Sequence, residues 1–183
     1  GYVGAELVKF LLSQGYRVTV FDLFIYGTEV LPSHPNLITI KGDMRDLKNL
    51  NQSLIGCTDV IHLACISNDP SFELNSNLGK SINYDCFEPF VEMSIKNKID
   101  SFIYASSSSV YGIKEEKNVT EDMILEPLTD YSFYKAECEK ILLNYSSSKL
   151  ITTVLRPATV CGYSSRQRLD VIVNILTNHA YNN

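Results

Sequence analysis

The order of hydrophobic and polar positions predicts helices and strands in alternation along the whole chain. Apolar residues after the first glycine recur at helical spacing, at Val3, Leu7, Val8, Leu11 and Leu12. Gly15 follows them as a helix stop. Short runs rich in β-branched and aromatic residues predict strands at 16–22, 37–43, 59–64, 101–108 and 150–157. The helical pattern predicts further helices at 46–54, 80–97, 130–147 and 169–180.

Short strands that alternate with helices are typical of an α/β protein. They predict a Rossmann-like, doubly wound parallel sheet with helices on both faces. The chain has no strand before its first helix, although that strand would be central in such a sheet. We therefore expect the sequence to be a fragment of a longer gene product, with the fold truncated at both ends.

Composition and charge indicate which classes of binding partner are disfavoured. The chain has 183 residues and a formal net charge of -5 that is spread along its length, which argues against nucleic acid or a membrane surface as a partner. It has no apolar run of about 18 residues, so no membrane span is expected. The five cysteines are scattered without C-x-x-C spacing, which predicts neither a disulfide framework nor a metal site. These features favour a reducing, cytoplasmic location.

The first residues match the end of a glycine-rich phosphate turn. Gly1 and Gly4 fit its last two glycines, so Gly1, Tyr2, Val3 and Gly4 are predicted to bind a dinucleotide pyrophosphate at the start of the first helix. Asp22 ends the next strand, where a carboxylate would bond both ribose hydroxyls and repel a 2′-phosphate. This favours NAD over NADP as the cofactor. The alternatives are an ordinary helix entry at the glycines and a strand-end cap at Asp22.

The stretch YSFYK supplies a candidate base. Tyr131 and Lys135 are four residues apart, so they share one helical face. A nearby cation and a positively charged nicotinamide would lower the tyrosine pKa from its usual value near 10, and Tyr131 would then act as a base. The serine cluster SSSSVYG at 106–112 ends a strand, where a hydroxyl can bond the reacting oxygen. The alternative is a tyrosine that is merely packed, as Tyr134 illustrates.

Several motifs occur together in one order: GYVG, VFDLFIYG, GDMRD, HLAC, SINYD, SSSSVYG, YSFYK and LRPATVCG. In this order and spacing the chain resembles the extended short-chain dehydrogenase/reductase family. The resemblance covers essentially the whole chain and is to the NAD-dependent nucleotide-sugar epimerase/dehydratase branch, which includes UDP-glucose 4-epimerases. It implies an NAD-binding Rossmann domain at 1–163, without its first strand, and the start of a substrate-binding region at 164–183.

The resemblance also implies roles for individual residues. Ser107 matches the catalytic Ser/Thr, Tyr131 the base, and Lys135 the residue that tunes the base and bonds the nicotinamide ribose. Cofactor contacts are implied at motif positions: Asp43 and Met44 by the adenine, Leu63 and Ala64 along the pyrophosphate and ribose, Asn83 near the cofactor, and Pro157 at the nicotinamide. Leu63, Ala64 and Pro157 are equally compatible with simple core positions.

Substrate contacts are expected at Ser108, Arg166, Arg168 and Asn174. Arginine and amide groups at the start of the substrate region suit an anionic diphosphate, although a solvated helix start with an interior Asn is an equal alternative. Family dehydratases usually carry an Asp-Glu pair just before VYG, where this chain has Ser108 and Ser109. Elimination by that route is therefore disfavoured.

The implied activity is epimerisation of a nucleotide sugar through a transient keto-sugar. A dehydrogenase, reductase or dehydratase of the same family is the alternative, and a dinucleotide-binding protein without catalysis is an alternative of another class. The resemblance further implies a homodimer through the helices predicted at 80–97 and 130–147.

Overall fold

Residues 1–182 are the part of the chain that this computed structural model describes, and they fold into helices and parallel strands. In chain order the elements are α1 (Tyr2–Ser13), β1 (Val18–Asp22), β2 (Leu37–Lys41), α2 (Leu47–Leu54), β3 (Asp59–His62), α3 (Asp69–Glu73), α4 (Ser76–Lys80), α5 (Phe87–Lys96), β4 (Ser101–Ala105), α6 (Asp130–Asn144), β5 (Ile151–Leu155) and α7 (Ile172–Asn182). A π-helical turn spans Ser81–Asp85 and a 3₁₀ turn spans Ser108–Tyr111.

The described chain divides into two units. The first unit contains Gly1–Gly42 and residues 159–182, and the second contains Asp43–Ala158. The boundary predicted between 1–163 and 164–183 stays a prediction, and residue 183 lies outside the described part. None of the helices within residues 1–182 combines the length and the hydropathy that a bilayer span requires.

The first unit is built on the parallel pair β1–β2. Val18 pairs with Leu37 at one end and Asp22 with Lys41 at the other. Helix α1 buries one apolar face, formed by Ala5, Val8 and Leu12. Val8 and Leu12 belong to the predicted apolar face, whereas Ala5 was not among the predicted positions and Val3, which was, is exposed. The pairing brings the carboxyl end of β1, with Asp22, into the same unit as the start of α1.

The second unit is built on the parallel sheet β3–β4–β5, with β4 in the middle. Its core is a cluster of aromatic rings contributed by β3, β4 and α5: His62, Phe87, Phe90, Phe102 and Tyr104. Phe102 and Tyr104 are fully buried because alternate residues of β4 point to the same face of the sheet. This packing fixes the end of β4 at Ala105, where the serine cluster begins.

Helix α6 begins with a capping box. The Thr129 hydroxyl accepts from the Ser132 amide at 3.2 Å, and the Ser132 hydroxyl accepts from the Thr129 amide at 3.1 Å. The Thr129 hydroxyl also donates to Asp69 of α3. The buried face of α6 includes two ionisable side chains, Lys135 and Glu139, which are 4 % and 2 % exposed. The helix therefore places charge inside the unit, at the level of the β4 end.

The α/β class and the parallel strands are confirmed, and each predicted helix and strand has a counterpart. The pattern predicted one sheet, whereas the described strands form two, β1–β2 and β3–β4–β5. A further strand before Gly1 stays a prediction. Helices α3 and α4 were not predicted, because five residues are too few for a hydrophobic period. Their local signals are the caps Asn68 and Asn75, whose side chains accept from the Ser71 and Leu78 amides.

Candidate active site

The structure brings Ser107, Tyr131 and Lys135 together at the carboxyl end of β4. Tyr131 lies in the first turn of α6, near enough to the Ser107 side chain and the Asn68 backbone for both to act on the pKa of its phenol. Ser107 is the second residue after the strand and has extended backbone (φ -156°, ψ 149°). The two hydroxyls thus come from elements that meet only through tertiary packing.

The Lys135 ammonium lies close to Tyr131 and to the end of β4. Its Nζ donates to the Ala105 carbonyl oxygen at 2.7 Å, and it is 4.9 Å from the ring centre of Tyr104 and 5.8 Å from that of Tyr131. Both rings are close enough for cation–π attraction. The ammonium is thus held against the strand end and under the aromatic rings, one helical turn after Tyr131.

The environment of Tyr131 acts against the predicted ionisation. Burial raises the pKa of its phenol, the nearby Cys65 and Asp69 add to the rise, and the Ser107 side chain and the Asn68 backbone oppose it. The sequence predicted a lowered pKa from Lys135 and a charged nicotinamide. Within the protein chain the cost of desolvation is larger, so burial favours the neutral phenol, and a base role requires the charges of Lys135 and of the nicotinamide to offset it.

Ser107 is oriented by the turn that follows it. Its Oγ accepts from the Ser109 amide at 3.1 Å and from the Ser109 hydroxyl at 2.8 Å. The Ser108 amide donates to the Pro157 carbonyl oxygen at 3.0 Å, which ties the chain after β4 to the chain after β5. Ser108 and Pro157, predicted as substrate and nicotinamide contacts, therefore lie next to Ser107, and Pro157 is exposed.

Asn83 holds the loop that follows β3. Its Oδ1 accepts from the Ile66 amide at 2.8 Å, and its Nδ2 donates to the Ile66 carbonyl oxygen at 2.9 Å. The sequence placed Asn83 near the cofactor, which stays a prediction, and in the structure its amide makes this pair of bonds to the loop. Leu63 and Ala64 directly follow β3, where Leu63 is half-buried and Ala64 exposed.

Asp43 and Met44 start the second unit. The Arg45 guanidinium forms a paired contact with Asp43, with Nε 2.9 Å from Oδ1 and the terminal nitrogen 2.5 Å from Oδ2. This pairing lowers the pKa of the Asp43 carboxyl. Met44 is buried. Of this predicted adenine-binding pair, Asp43 is the half-exposed member and Met44 belongs to the core.

In the first unit, Gly1, Gly4 and Asp22 line one cavity of about 60 Å³. The Asp22 carboxylate accepts from the Phe24 amide at 2.7 Å through Oδ1. Arg166, predicted as a substrate contact, lines the same cavity. Its guanidinium carbon lies 3.6 Å from the ring centre of Tyr26. The structure thus groups Arg166 with residues that the sequence assigned to the cofactor.

Asn174 and Arg168 have structural partners in the same unit. The Asn174 amide accepts from the Gly162 amide at 3.0 Å and donates to the Tyr2 hydroxyl at 3.0 Å and to the Arg168 carbonyl oxygen at 2.8 Å. Arg168 also pairs with Asp170 at 2.5 Å. The buried Asn174 therefore fastens the segment before α7 to the start of α1, as expected for an interior Asn. Val3 is 42 % exposed on α1.

Sequence reasoning missed a buried polar network at the end of β4. Ser106 donates to the Glu139 carboxylate, which also pairs with Arg156, and Arg156 reaches Tyr111. The available signal was charge at positions expected to be buried. Glu139 is four residues after Lys135 on the inner face of a helix, and Arg156 ends a strand.

Comparison with known proteins matches this arrangement to one family. The model of the NAD dependent epimerase/dehydratase family matches residues 1–182. An uncharacterised protein of Sinorhizobium fredii, y4nG, is 34% identical over 94% of this chain and 42% of its own. The human sterol-4-alpha-carboxylate 3-dehydrogenase, decarboxylating, is 29% identical over 97% of this chain and 47% of its own. The chain spans about half the length of the curated relatives it matches.

Solved structures agree with the fold. MoeE5 in complex with UDP-glucuronic acid and NAD is 28% identical, with a TM-score of 0.84 over 96% of this chain and 57% of its own. The UDP-N-acetylglucosamine 4-epimerase of Methanobrevibacter ruminantium, in complex with UDP-N-acetylmuramic acid, is 29% identical. Its TM-score is 0.78 over 85% of this chain and 51% of its own.

Proposed function

The chain belongs to the NAD dependent epimerase/dehydratase family, and we propose that it is the NAD-binding part of a nucleotide-sugar epimerase. The observation that carries this proposal is the cluster at the end of β4, in which Tyr131 lies near Ser107 and the Lys135 ammonium is 5.8 Å from the ring centre of Tyr131. A pure binding protein has no need of a base next to a hydroxyl donor and a cation. The cluster therefore favours catalysis over binding alone.

The residues of the first unit suit the adenosine end of NAD. The Asp22 carboxylate lies in a cavity with Gly1 and Gly4, and it is an acceptor only, which fits the donors of ribose hydroxyls and repels a 2′-phosphate. The start of α1 offers backbone amides to a pyrophosphate. When bound, NAD supplies the hydride acceptor and a positive ring.

The residues of the second unit suit proton transfer to and from a sugar hydroxyl. Ser107 would bond the reacting oxygen, and Tyr131, as the phenolate, would take its proton. Bound NAD would supply the acceptor for the hydride from the same carbon, so that the sugar alcohol becomes a keto-sugar, and the reduced cofactor would supply that hydride again at the opposite face. Tyr131 would return the proton to the oxygen, which gives the epimer. Lys135 stabilises the phenolate while Tyr131 is deprotonated.

Two similar structures support a nucleotide sugar as the substrate class. MoeE5 is in complex with UDP-glucuronic acid, and the archaeal 4-epimerase is in complex with UDP-N-acetylmuramic acid. The human sterol dehydrogenase supports the alternative of net oxidation, in which the cofactor is exchanged in each cycle. The homodimer through 80–97 and 130–147 and the cytoplasmic location stay predictions.

Replacing the base tests the catalytic assignment. Tyr131→Phe removes only the hydroxyl, so we expect turnover of UDP-sugars to fall by about 10²- to 10⁴-fold, with NAD affinity retained. Tyr134→Phe is the matched control, because Tyr134 lies in the same helix and packs its ring on Tyr84 at 5.1 Å. Turnover is followed by product analysis, and NAD affinity by titration calorimetry. Full activity of Tyr131→Phe would remove the proposed role.

Whether the purified protein retains its cofactor distinguishes an epimerase from a dehydrogenase. The purified protein is denatured without added cofactor, and released dinucleotide is identified by mass. We expect NAD at close to one per protein, because an epimerase returns its hydride at each turnover. Recovery of no dinucleotide, together with NADH that accumulates in step with substrate loss, would favour the dehydrogenase.

A further inference from the structure

Helix α6 contacts the end of β4 and the two residues after it through side chains one turn apart. Lys135 donates to the Ala105 carbonyl oxygen at 2.7 Å. One turn later, Glu139 accepts a hydrogen bond from the hydroxyl of Ser106, the first residue after the strand. One turn before Lys135, Tyr131 lies near Ser107. Three turns of α6 thus face residues 105–107.

Glu139 is held in place by Arg156. The Arg156 Nε lies 3.1 Å from both carboxylate oxygens, and a terminal nitrogen lies 2.7 Å from Oε2. The carboxylate is 2% exposed and the guanidinium 18%. Arg156 also donates to the Tyr111 hydroxyl at 2.9 Å and to the Glu121 carbonyl oxygen at 3.1 Å. The pair is therefore buried, nearly saturated in hydrogen bonds and fixed in geometry.

The hydrogen-bond network of Ser106, Glu139 and Arg156 lies next to the segment that carries Ser107. Ser106 directly precedes Ser107, and Arg156 directly precedes Pro157, whose carbonyl oxygen accepts from the Ser108 amide at 3.0 Å. The residue before Ser107 and the residue before Pro157 are thus both bonded to the Glu139 carboxylate. A shift of that carboxylate would move both.

We propose that Glu139, fixed by Arg156, is a positioning residue that holds Ser107 in place near Tyr131. The proposal rests on the proposed function and deepens it, since it names what orients the hydroxyl. Glu139 itself takes no part in proton transfer. Its carboxylate is 2% exposed and is bonded to Ser106 and Arg156.

The most direct test removes the hydrogen bond between Ser106 and Glu139 and leaves the ion pair of Glu139 and Arg156 intact. Ser106→Ala deletes the hydroxyl that joins Glu139 to the strand end. Ser94→Ala is the matched control, because Ser94 is also a fully buried serine and donates to the Phe90 carbonyl oxygen at 2.9 Å, within its own helix. Two readouts are taken on both proteins: amide hydrogen exchange at Ser108 and Ser109, and the steady-state rate with UDP-glucose as the probe.

In Ser106→Ala we expect amide exchange at Ser108 and Ser109 to quicken by about 10-fold. We expect kcat to fall by about 10-fold and KM to stay within about twofold. Both changes are the effect of losing one orienting hydrogen bond. Ser94→Ala is expected to leave both unchanged. Glu139→Gln, which keeps the shape and one acceptor oxygen, is expected to repeat the kcat loss with KM retained.

The exchange measurement separates this proposal from the proposed function. Unchanged exchange at Ser108 and Ser109 in Ser106→Ala overturns the positioning role, whatever the activity. Faster exchange with an unaltered kcat overturns it as well. A wild-type protein that turns over no UDP-sugar refutes the proposed function alone, and the exchange rates then decide whether Glu139 positions the segment.

Discussion

His62 makes the stability of the protein depend on pH. It ends β3 and is 6% exposed, stacked on Tyr104 with ring centres 5.7 Å apart and edge-on to Phe90 at 5.3 Å. Burial, with a smaller contribution from the charge of Lys135, lowers the pKa of the imidazole to about 3. In the folded protein His62 is therefore neutral at every pH above that value.

The sign of the effect follows from proton binding. In the unfolded chain His62 has the ordinary pKa of 6.5, so below that pH the unfolded state binds a proton that the folded state excludes. Stability from this group is therefore complete above pH 6.5 and is lost as the pH falls towards 3. Between pH 7 and pH 5 the loss is about 2 kcal/mol, at about 1.4 kcal/mol for each unit below the unfolded pKa.

The assay compares wild type with His62→Phe, which keeps an aromatic ring in an aromatic cluster. Urea unfolding of both proteins at pH 7 and pH 5 gives the free energy of unfolding at each pH. We expect wild type to lose about 2 kcal/mol more than the variant over this interval. All other titrating groups are common to both proteins and cancel in the difference. Equal losses in the two proteins would refute a neutral, buried His62.

Two further predictions concern the backbone around the site. Gly112 has φ +69°, and a Cβ there would lie 2.1 Å from the Glu126 carbonyl oxygen, whereas Gly56 has φ +77° with open space around it. Gly112→Ala should therefore cost about 3 kcal/mol and Gly56→Ala about 1 kcal/mol, measured by urea unfolding, and equal costs would contradict the steric argument. Thr129→Ala removes the cap of α6 and should cost about 1–2 kcal/mol. The Thr177 hydroxyl donates to the Val173 carbonyl oxygen of its own helix at 2.8 Å. Thr177→Ala should change the free energy of unfolding by less than about 0.5 kcal/mol, and a similar loss in both variants would contradict the cap.

The local pattern of residues determined the elements. The periods of apolar residues predicted the strands and the longer helices, because each period reflects which faces of one segment are buried. The α/β class followed from their alternation, and the family from motifs that keep their order along the chain. Within YSFYK, the spacing of Tyr131 and Lys135 alone placed both on one helical face.

Only the tertiary structure decided what those residues touch. Asn83 binds the Ile66 backbone, and Tyr131 is held neutral by burial, because solvation and partners depend on segments far apart in sequence. Ser106 and Glu139 are 33 residues apart along the chain, yet they form one hydrogen bond. Sequence periodicity reports which side of an element faces the core, and it carries no information on which distant polar group will be found there. The elements and the family were therefore set by the sequence alone, and the partners of the buried charges by packing.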